Sequence, residues 1–252
     1  MDTDNKYGLK ECQEKLLLLM STFDKMCQEN GIVYCADSGT LLGAIRHNGF
    51  IPWDDDLDVA MDRKNYEKLM AIDFNRYDLK YVRKFFIESF CLLNDDSETD
   101  HRPILDVFTL DNTPDNFFIR KLKIMRILYL HGLWHYYSPN EYNGKSFFGK
   151  IYSFVFRKLG SLYKEESIFK RLQKISKSGN NKKTKCVQGF DYLTYELHVV
   201  YPSDILNDIK RHKFESIEIN IPQKYDIYLT NLYGDYMTPV ITKEKDKNLV
   251  LD

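Results

Sequence analysis

Ser38-Gly39-Thr40-Leu41-Leu42-Gly43-Ala44-Ile45-Arg46-His47-Asn48-Gly49-Phe50-Ile51-Pro52-Trp53-Asp54-Asp55-Asp56-Leu57-Asp58-Val59 is the stretch whose reading decides the fold. Four of the five residues 54–58 are aspartates. Like charges crowded this closely persist in a folded domain mainly where cations or phosphate-bound metals neutralise them. From Asp56 the run Asp56-Leu57-Asp58-Val59-Ala60-Met61 alternates polar and apolar. As a strand it turns Asp56 and Asp58 to one face, where paired carboxylates suit a hard divalent cation such as Mg²⁺ (or Mn²⁺). Asp54 and Asp55 read equally well as a solvated turn.

Upstream, the apolar run Ile32-Val33-Tyr34-Cys35-Ala36 suggests a strand and residues 41–46 a helix, with Asp37-Ser38-Gly39-Thr40 between them. A turn of small residues opening a helix presents backbone N–H groups to an anion. A phosphate cradle therefore precedes a metal-binding strand. Ser38, Gly39 and Thr40 are the candidate cradle, Arg46 a candidate bidentate phosphate ligand, and Trp53 flanks the acids.

The pattern Gly-Thr-Leu-Leu-Gly-Ala-Ile-Arg-His followed by Gly-Phe-Ile-Pro-Trp-Asp-Asp-Asp-Leu-Asp resembles the signature of the LicD family, which is similar to nucleotidyltransferase-fold enzymes and to the fukutin group. A second match is Phe214-Glu215, Pro222 and Leu232-Tyr233-Gly234-Asp235-Tyr236-Met237 with Pro239. Two departures are Ser38, where the family commonly has a second Gly, and Asn65-Tyr66, where it commonly has Asp-Tyr. Neither removes a metal ligand. The resemblance implies an α+β fold: a nucleotidyltransferase-like mixed sheet flanked by helices, with a basic helical insertion. It also gives a role to Asp106, within Pro103-Ile104-Leu105-Asp106-Val107-Phe108-Thr109-Leu110. A carboxylate in an apolar strand is costly to bury unless paired or metal-bound. It reads either as the solvent side of an edge strand or, as the resemblance implies, as the third acid of the site.

A chain of 252 residues suits one large domain or a core with an insertion. The formal net charge of −1 hides an asymmetry. Residues 116–185 hold sixteen Lys and Arg against Glu141, Glu165 and Glu166, a net of +13, which leaves −14 for the remainder. Such a segment points to an anionic partner: a membrane surface, a lipid-linked glycan or a nucleic acid. Five cysteines with no C-x-x-C pair argue against a disulfide scaffold or zinc site. No signal-peptide core opens the sequence and no run of about 18 apolar residues occurs. A cytoplasmic protein is expected, peripheral to the inner face of the membrane.

Residues 6–30 carry apolar positions at three- and four-residue steps and read as an amphipathic helix stopped by Gly31. Asp62 caps a helix over 63–72 with Tyr66, Leu69 and Met70 inward. Residues 79–86 and 87–93 read as strands beside a polar turn at 94–101. Helices are expected at 116–137, 145–159 and 164–177, with His131, Trp134 and His135 in packing roles. A flexible basic loop at 178–185 follows, then an extended stretch at 186–201. Residues 213–221 read as one strand ended by Pro222, and 225–233 as a helix stopped at Gly234. The domain expectation is a catalytic core at 1–113, a basic acceptor subdomain at 114–185, and 186–252 completing the core.

LicD-like enzymes transfer a substituted phosphate, such as phosphocholine, from a CDP-linked donor to a sugar hydroxyl of a cell-surface glycan, releasing CMP. The resemblance therefore implies a metal-dependent phosphotransferase of lipopolysaccharide or capsule modification. Its catalytic and metal-binding residues are Asp56, Asp58 and Asp106, and its partners a CDP-linked donor and a glycan or lipid-linked glycan; the basic segment adds peripheral contact with an anionic membrane, and no nucleic acid is expected. Asp106 could also accept the acceptor's proton. Two other readings stay open: a nucleotidyltransferase releasing pyrophosphate, and a non-catalytic adaptor binding membranes or glycans through the basic segment.

Overall fold

The computed structural model describes residues 9–83, 86–94, 103–137, 149–191 and 197–238, with the backbone of 84 and 147–148. The turn at 94–101 beyond Asn94, the helix starts at 6–8 and 145–146, residues 192–196 and Pro239 lie outside the described residues. In chain order the elements are α1 Lys10–Glu29, β1 Cys35–Ala36, α2 Ser38–His47, β2 Leu57–Asp62, α3 Arg63–Leu69, β3 Leu79–Lys84, β4 Ile87–Leu92, β5 Leu105–Thr113, α4 Phe117–Trp134, α5 Phe147–Gly160, α6 Glu165–Ser176, β6 Cys186–Gly189, β7 Tyr201–Pro202, β8 Ile209–Phe214, β9 Ile217–Pro222 and α7 Tyr225–Tyr233. The fold is α+β. The chain divides into two units, Met1–Thr109 with Asp204–Asp252, and Leu110–Ser203.

In the first unit the strands run in the order β1-β2-β5-β4-β3. β1 pairs antiparallel with β2 through Cys35↔Ala60 and Ala36↔Val59, and β4 pairs antiparallel with β5 through Ser89↔Asp106 and Phe90↔Leu105. The stripe read from the sequence buries Leu16, Leu19, Met20, Phe23 and Cys27 of α1. Phe23 meets Tyr34 and Phe90 at 5.5 and 5.7 Å between ring centroids. Each such fully buried side chain contributes about 1.5–3 kcal/mol. Gly31, at φ +59°, follows the end of α1. Asp62 caps α3 by accepting a hydrogen bond from the Asn65 amide at 2.7 Å. α3 stops at Leu69, so Met70 is only half-buried.

Two expected strands differ. The first is only Cys35–Ala36, because the Val33 amide bonds the Asn65 side chain at 2.9 Å rather than a neighbouring strand. The single strand expected at 213–221 is a hairpin, β8 pairing β9 from Ile209↔Pro222 to Phe214↔Ile217. Its two-residue turn puts Glu215 at φ +53°, a conformation usually announced by Gly or Asn. α7 ends at Gly234 (φ +69°), as its sequence suggests.

In the second unit Asn116 caps α4 by accepting from the Phe118 and Ile119 amides at 3.0 and 3.2 Å. α4 packs on α5 and α6. At Gly132 any side chain would overlap the Phe156 ring, so this glycine permits the close approach of α5. His131, Trp134 and His135 are buried, as packing residues. Lys123 is also buried; its ammonium donates to Ser176 O at 2.6 Å and Asn112 O at 3.2 Å and lies 4.1 Å from the Phe190 ring centroid. A buried cation needs such partners. The Leu110–Thr113 end of β5 pairs antiparallel with β6, and β6 with β7. The segment expected to be a flexible basic loop is tied down: Asn180 accepts from the Asn112 amide at 2.7 Å and the Lys185 amide donates to Asp115 at 2.8 Å.

Candidate active site

β2 and β5 are neighbours in the sheet, and the Leu57 amide donates to Ile104 O at 3.0 Å. The pairing brings together acids 48 or more residues apart in the chain. One carboxylate oxygen from each of Asp56, Asp58 and Asp106 lies within 4.8 Å of the others, with Asp56 the most open of the three. All come from the first unit, from strand positions or the residue just before one, where side-chain direction is set by the pleat.

Burial pushes the Asp56 carboxyl up to about 7, with Asp106 and Asp55 adding like charge. Burial likewise holds Asp58 well above the ordinary carboxylate range, helped by Asp56, Asp106, Asp37 and Asp54. Asp54 is raised by burial and then by Asp56 and Asp55. Such a cluster resists a full set of negative charges unless a cation joins it. Three carboxylates and no nitrogen or sulfur donor make an all-oxygen set, the chemistry a hard ion such as Mg²⁺ takes. The residues fit a divalent cation.

The cradle residues open α2 beside this cluster. Asp37, fully buried, accepts from the Ser38 amide at 2.7 Å, and its own amide donates to Asp58 O at 2.9 Å. Ser38 has φ +43°, the left-handed region that glycine favours and where the resembling family commonly has Gly. A Cβ on Gly39 would stand 2.9 Å from an Asp54 carboxylate oxygen, so glycine lets Asp54 lie against the start of the helix. The Thr40 hydroxyl accepts from the Asp58 amide at 2.8 Å. Trp53 lies half-buried in the turn ahead of the acids. Arg46 sits eight residues beyond Ser38 on the same helix, about 12 Å of rise away, and donates to Tyr236 O at 3.3 Å. Burial lowers its pKa.

Other residues position the acidic turn, and one pair of them, Phe214-Glu215, belongs to the second stretch that matches the family pattern. The Gln13 amide of α1 donates to Asp54 O at 3.0 Å and Ile51 O at 3.3 Å, gripping the acidic turn. Glu215 accepts from the Phe50 amide at 3.0 Å, its own amide donates to Asn48 O at 2.8 Å, and Phe214 packs edge-on against Phe50 at 4.8 Å. The Phe214-Glu215 pair thus braces residues 48–50, which lead into the acidic turn. Asp37 could have been found as the helix N-cap ahead of Ser-Gly.

A helix start thus stands beside carboxylates converging from two neighbouring strands. The family model described as the LicD/FKTN/FKRP nucleotidyltransferase domain matches residues 31–117, which span the cradle and all three acids. The chain is similar to the lipopolysaccharide cholinephosphotransferase LicD of Haemophilus influenzae, 26% identical over 255 residues, which cover 92% of each chain. It is also similar to the uncharacterized protein RP689 of Rickettsia prowazekii, 31% identical over 133 residues and half of each chain.

Proposed function

We propose that the acidic cluster of the first unit holds Mg²⁺ (or Mn²⁺) and that the protein transfers a substituted phosphate, of the phosphocholine kind, from a CDP-linked donor to a sugar hydroxyl of a cell-surface glycan. The observation that carries this reading is the convergence of Asp56, Asp58 and Asp106 within 4.8 Å. The likeness to the Haemophilus cholinephosphotransferase over 92% of each chain supports the choice of transferred group.

In the reaction the acceptor hydroxyl oxygen forms a bond to the phosphorus carrying the choline-like group. The bond from that phosphorus to the CMP oxygen breaks, and CMP leaves. A bound divalent ion would offset charge on the diphosphate oxygens and help align attack. The three aspartates hold that ion, and Asp106 is the candidate to take the acceptor's proton. Backbone amides at the start of α2 offer donors for phosphate oxygens. Arg46, one of whose N–H groups donates to Tyr236 O, is the candidate to add bidentate charge on the phosphate.

The test is incubation of the protein with Mg²⁺, CDP-choline and candidate glycans, following CMP. CMP release that needs both the metal and an acceptor is expected. Absence of CMP from any CDP-alcohol, with the fold intact, overturns the reading. Pyrophosphate release from a nucleoside triphosphate would replace it with nucleotidyl transfer.

A further inference from the structure

The second unit presents a surface that its own packing leaves unused. Phe118, Leu122, Met125 and Tyr129 recur along α4 at the spacing of a buried helical stripe, yet they are 79, 59, 58 and 43% exposed. The opposite side of the same helix does the packing, burying Lys123, Ile127, Leu130 and Trp134. α4 is therefore apolar on both sides, and only one is covered among the described residues.

Beside the exposed stripe α6 completes a groove of about 610 Å³. Its floor is Leu122, Met125, Tyr129 and Ile175, and Arg126, Arg171 and Lys174 line it with positive charge. A second hollow of about 380 Å³ continues along α6 past Lys164 and Lys170, sharing Arg171 and Lys174 with the first. Among the described residues no carboxylate pairs with Arg126 or Lys174, whereas Lys170 meets Glu166 at 3.7 Å. The groove lies in the segment with sixteen cations against three acids.

An apolar floor with a cationic margin matches an amphiphile that carries an anion at one end. Aromatic and aliphatic side chains that enter the acyl boundary, beside Lys and Arg that reach the phosphates, are the composition of a surface lying on an anionic bilayer. No helix among the described residues is long and apolar enough to cross a membrane, so such contact would be interfacial. We propose that the α4–α6 face of the second unit seats on a bilayer containing anionic phospholipid, the groove taking an acyl chain and Arg126, Arg171 and Lys174 its phosphate. The inference is independent of the reaction assigned to the first unit.

The test is flotation of the full chain with phosphatidylcholine vesicles, with and without phosphatidylglycerol. Binding is expected only with the anionic lipid. It should weaken by about tenfold or more in the triple variant Arg126→Glu, Arg171→Glu, Lys174→Glu, and separately in Leu122→Ser, Met125→Ser. Inorganic phosphate in millimolar excess should not release the protein. Should the double variant misfold, Phe118→Ser, at a side chain 79% exposed, carries the apolar arm. Equal binding to neutral vesicles, parental binding by the charge variant, or full competition by phosphate overturns the proposal. So does a dimer that Leu122→Ser, Met125→Ser converts to monomer, which would make this face a contact between copies of the chain. CMP release in solution reports on the other unit's chemistry, so failure of either idea is visible apart from the other.

Discussion

The Thr40 hydroxyl accepts a hydrogen bond from the Asp58 amide at 2.8 Å, coupling the first turn of α2 to the strand that bears Asp58 and follows directly on Asp56. Thr40 is 2% exposed, so water has little access to replace the bond. Thr40→Val keeps the shape and removes the acceptor, leaving a buried N–H unsatisfied at a cost of about 1–3 kcal/mol. The expected outcome is a folded protein with CMP release lowered by about tenfold or more, because small displacements of a reacting group are costly. Thr40→Ser should restore most of the rate. Parental activity in Thr40→Val would show that the bond does not position Asp58.

Glu215 tests the brace behind the acidic turn. Its carboxylate accepts from the Phe50 amide while its backbone bonds Asn48, so the hairpin turn and the end of α2 hold each other. Glu215→Ala should lower stability by about 1.5–3 kcal/mol, the range for a hydrogen bond to a charged group, and Glu215→Gln should recover part of it. Urea unfolding gives both values. Equal midpoints for parent and Glu215→Ala would remove the brace from the account.

How much of this was legible follows from the range over which each feature acts. Alternation in residues 56–61 showed that Asp56 and Asp58 share a face, and the apolar setting of Asp106 marked it as unusual, because strand period and local polarity are near-neighbour properties. The pairing of β2 with β5 is not local, and there the family resemblance supplied what periodicity lacks. The β8–β9 hairpin reads as one strand in the sequence because Glu215 and Ser216 give no glycine or asparagine signal for a turn that needs positive φ. Gln13 was invisible for another reason: it lies on the flank of an amphipathic helix, and nothing near it in sequence shows that the acidic turn will pass within 3.0 Å.

The acids themselves should show opposed effects on stability and activity. Asp58 is surrounded by Asp56, Asp106, Asp37 and Asp54, so its charge is held against burial and repulsion. In protein stripped of divalent ions by chelation, Asp58→Asn removes a carboxyl that must be buried either charged or with a proton taken up, and should raise stability by on the order of 1 kcal/mol. The same variant should lose activity by about 10²–10⁴-fold and lose any stabilisation that added Mg²⁺ gives the parent. A destabilised, metal-responsive Asp58→Asn protein would contradict a metal role for this aspartate.

His131 gives the second unit a pH-dependent stability that can be read separately from the acids. Burial pushes its pKa down to about 4, with His135 pushing the same way and a backbone hydrogen bond at Phe190 opposing. In the unfolded chain the imidazole titrates near its ordinary value of about 6.5. Between these values the unfolded state carries a proton that the folded state does not, so stability is fully present above about 6.5 and declines as the pH falls towards about 4. The whole loss is on the order of 3 kcal/mol. Trp134, buried one turn further along α4, reports unfolding of this unit by fluorescence when Trp53 of the first unit is replaced by Phe in every protein compared. Denaturant midpoints at neutral pH and near pH 4.5 should differ more for the parent than for His131→Gln, which keeps a polar side chain but cannot take the proton. The difference between the two proteins cancels the carboxylates, which titrate in both, and equal differences would remove His131 as the source.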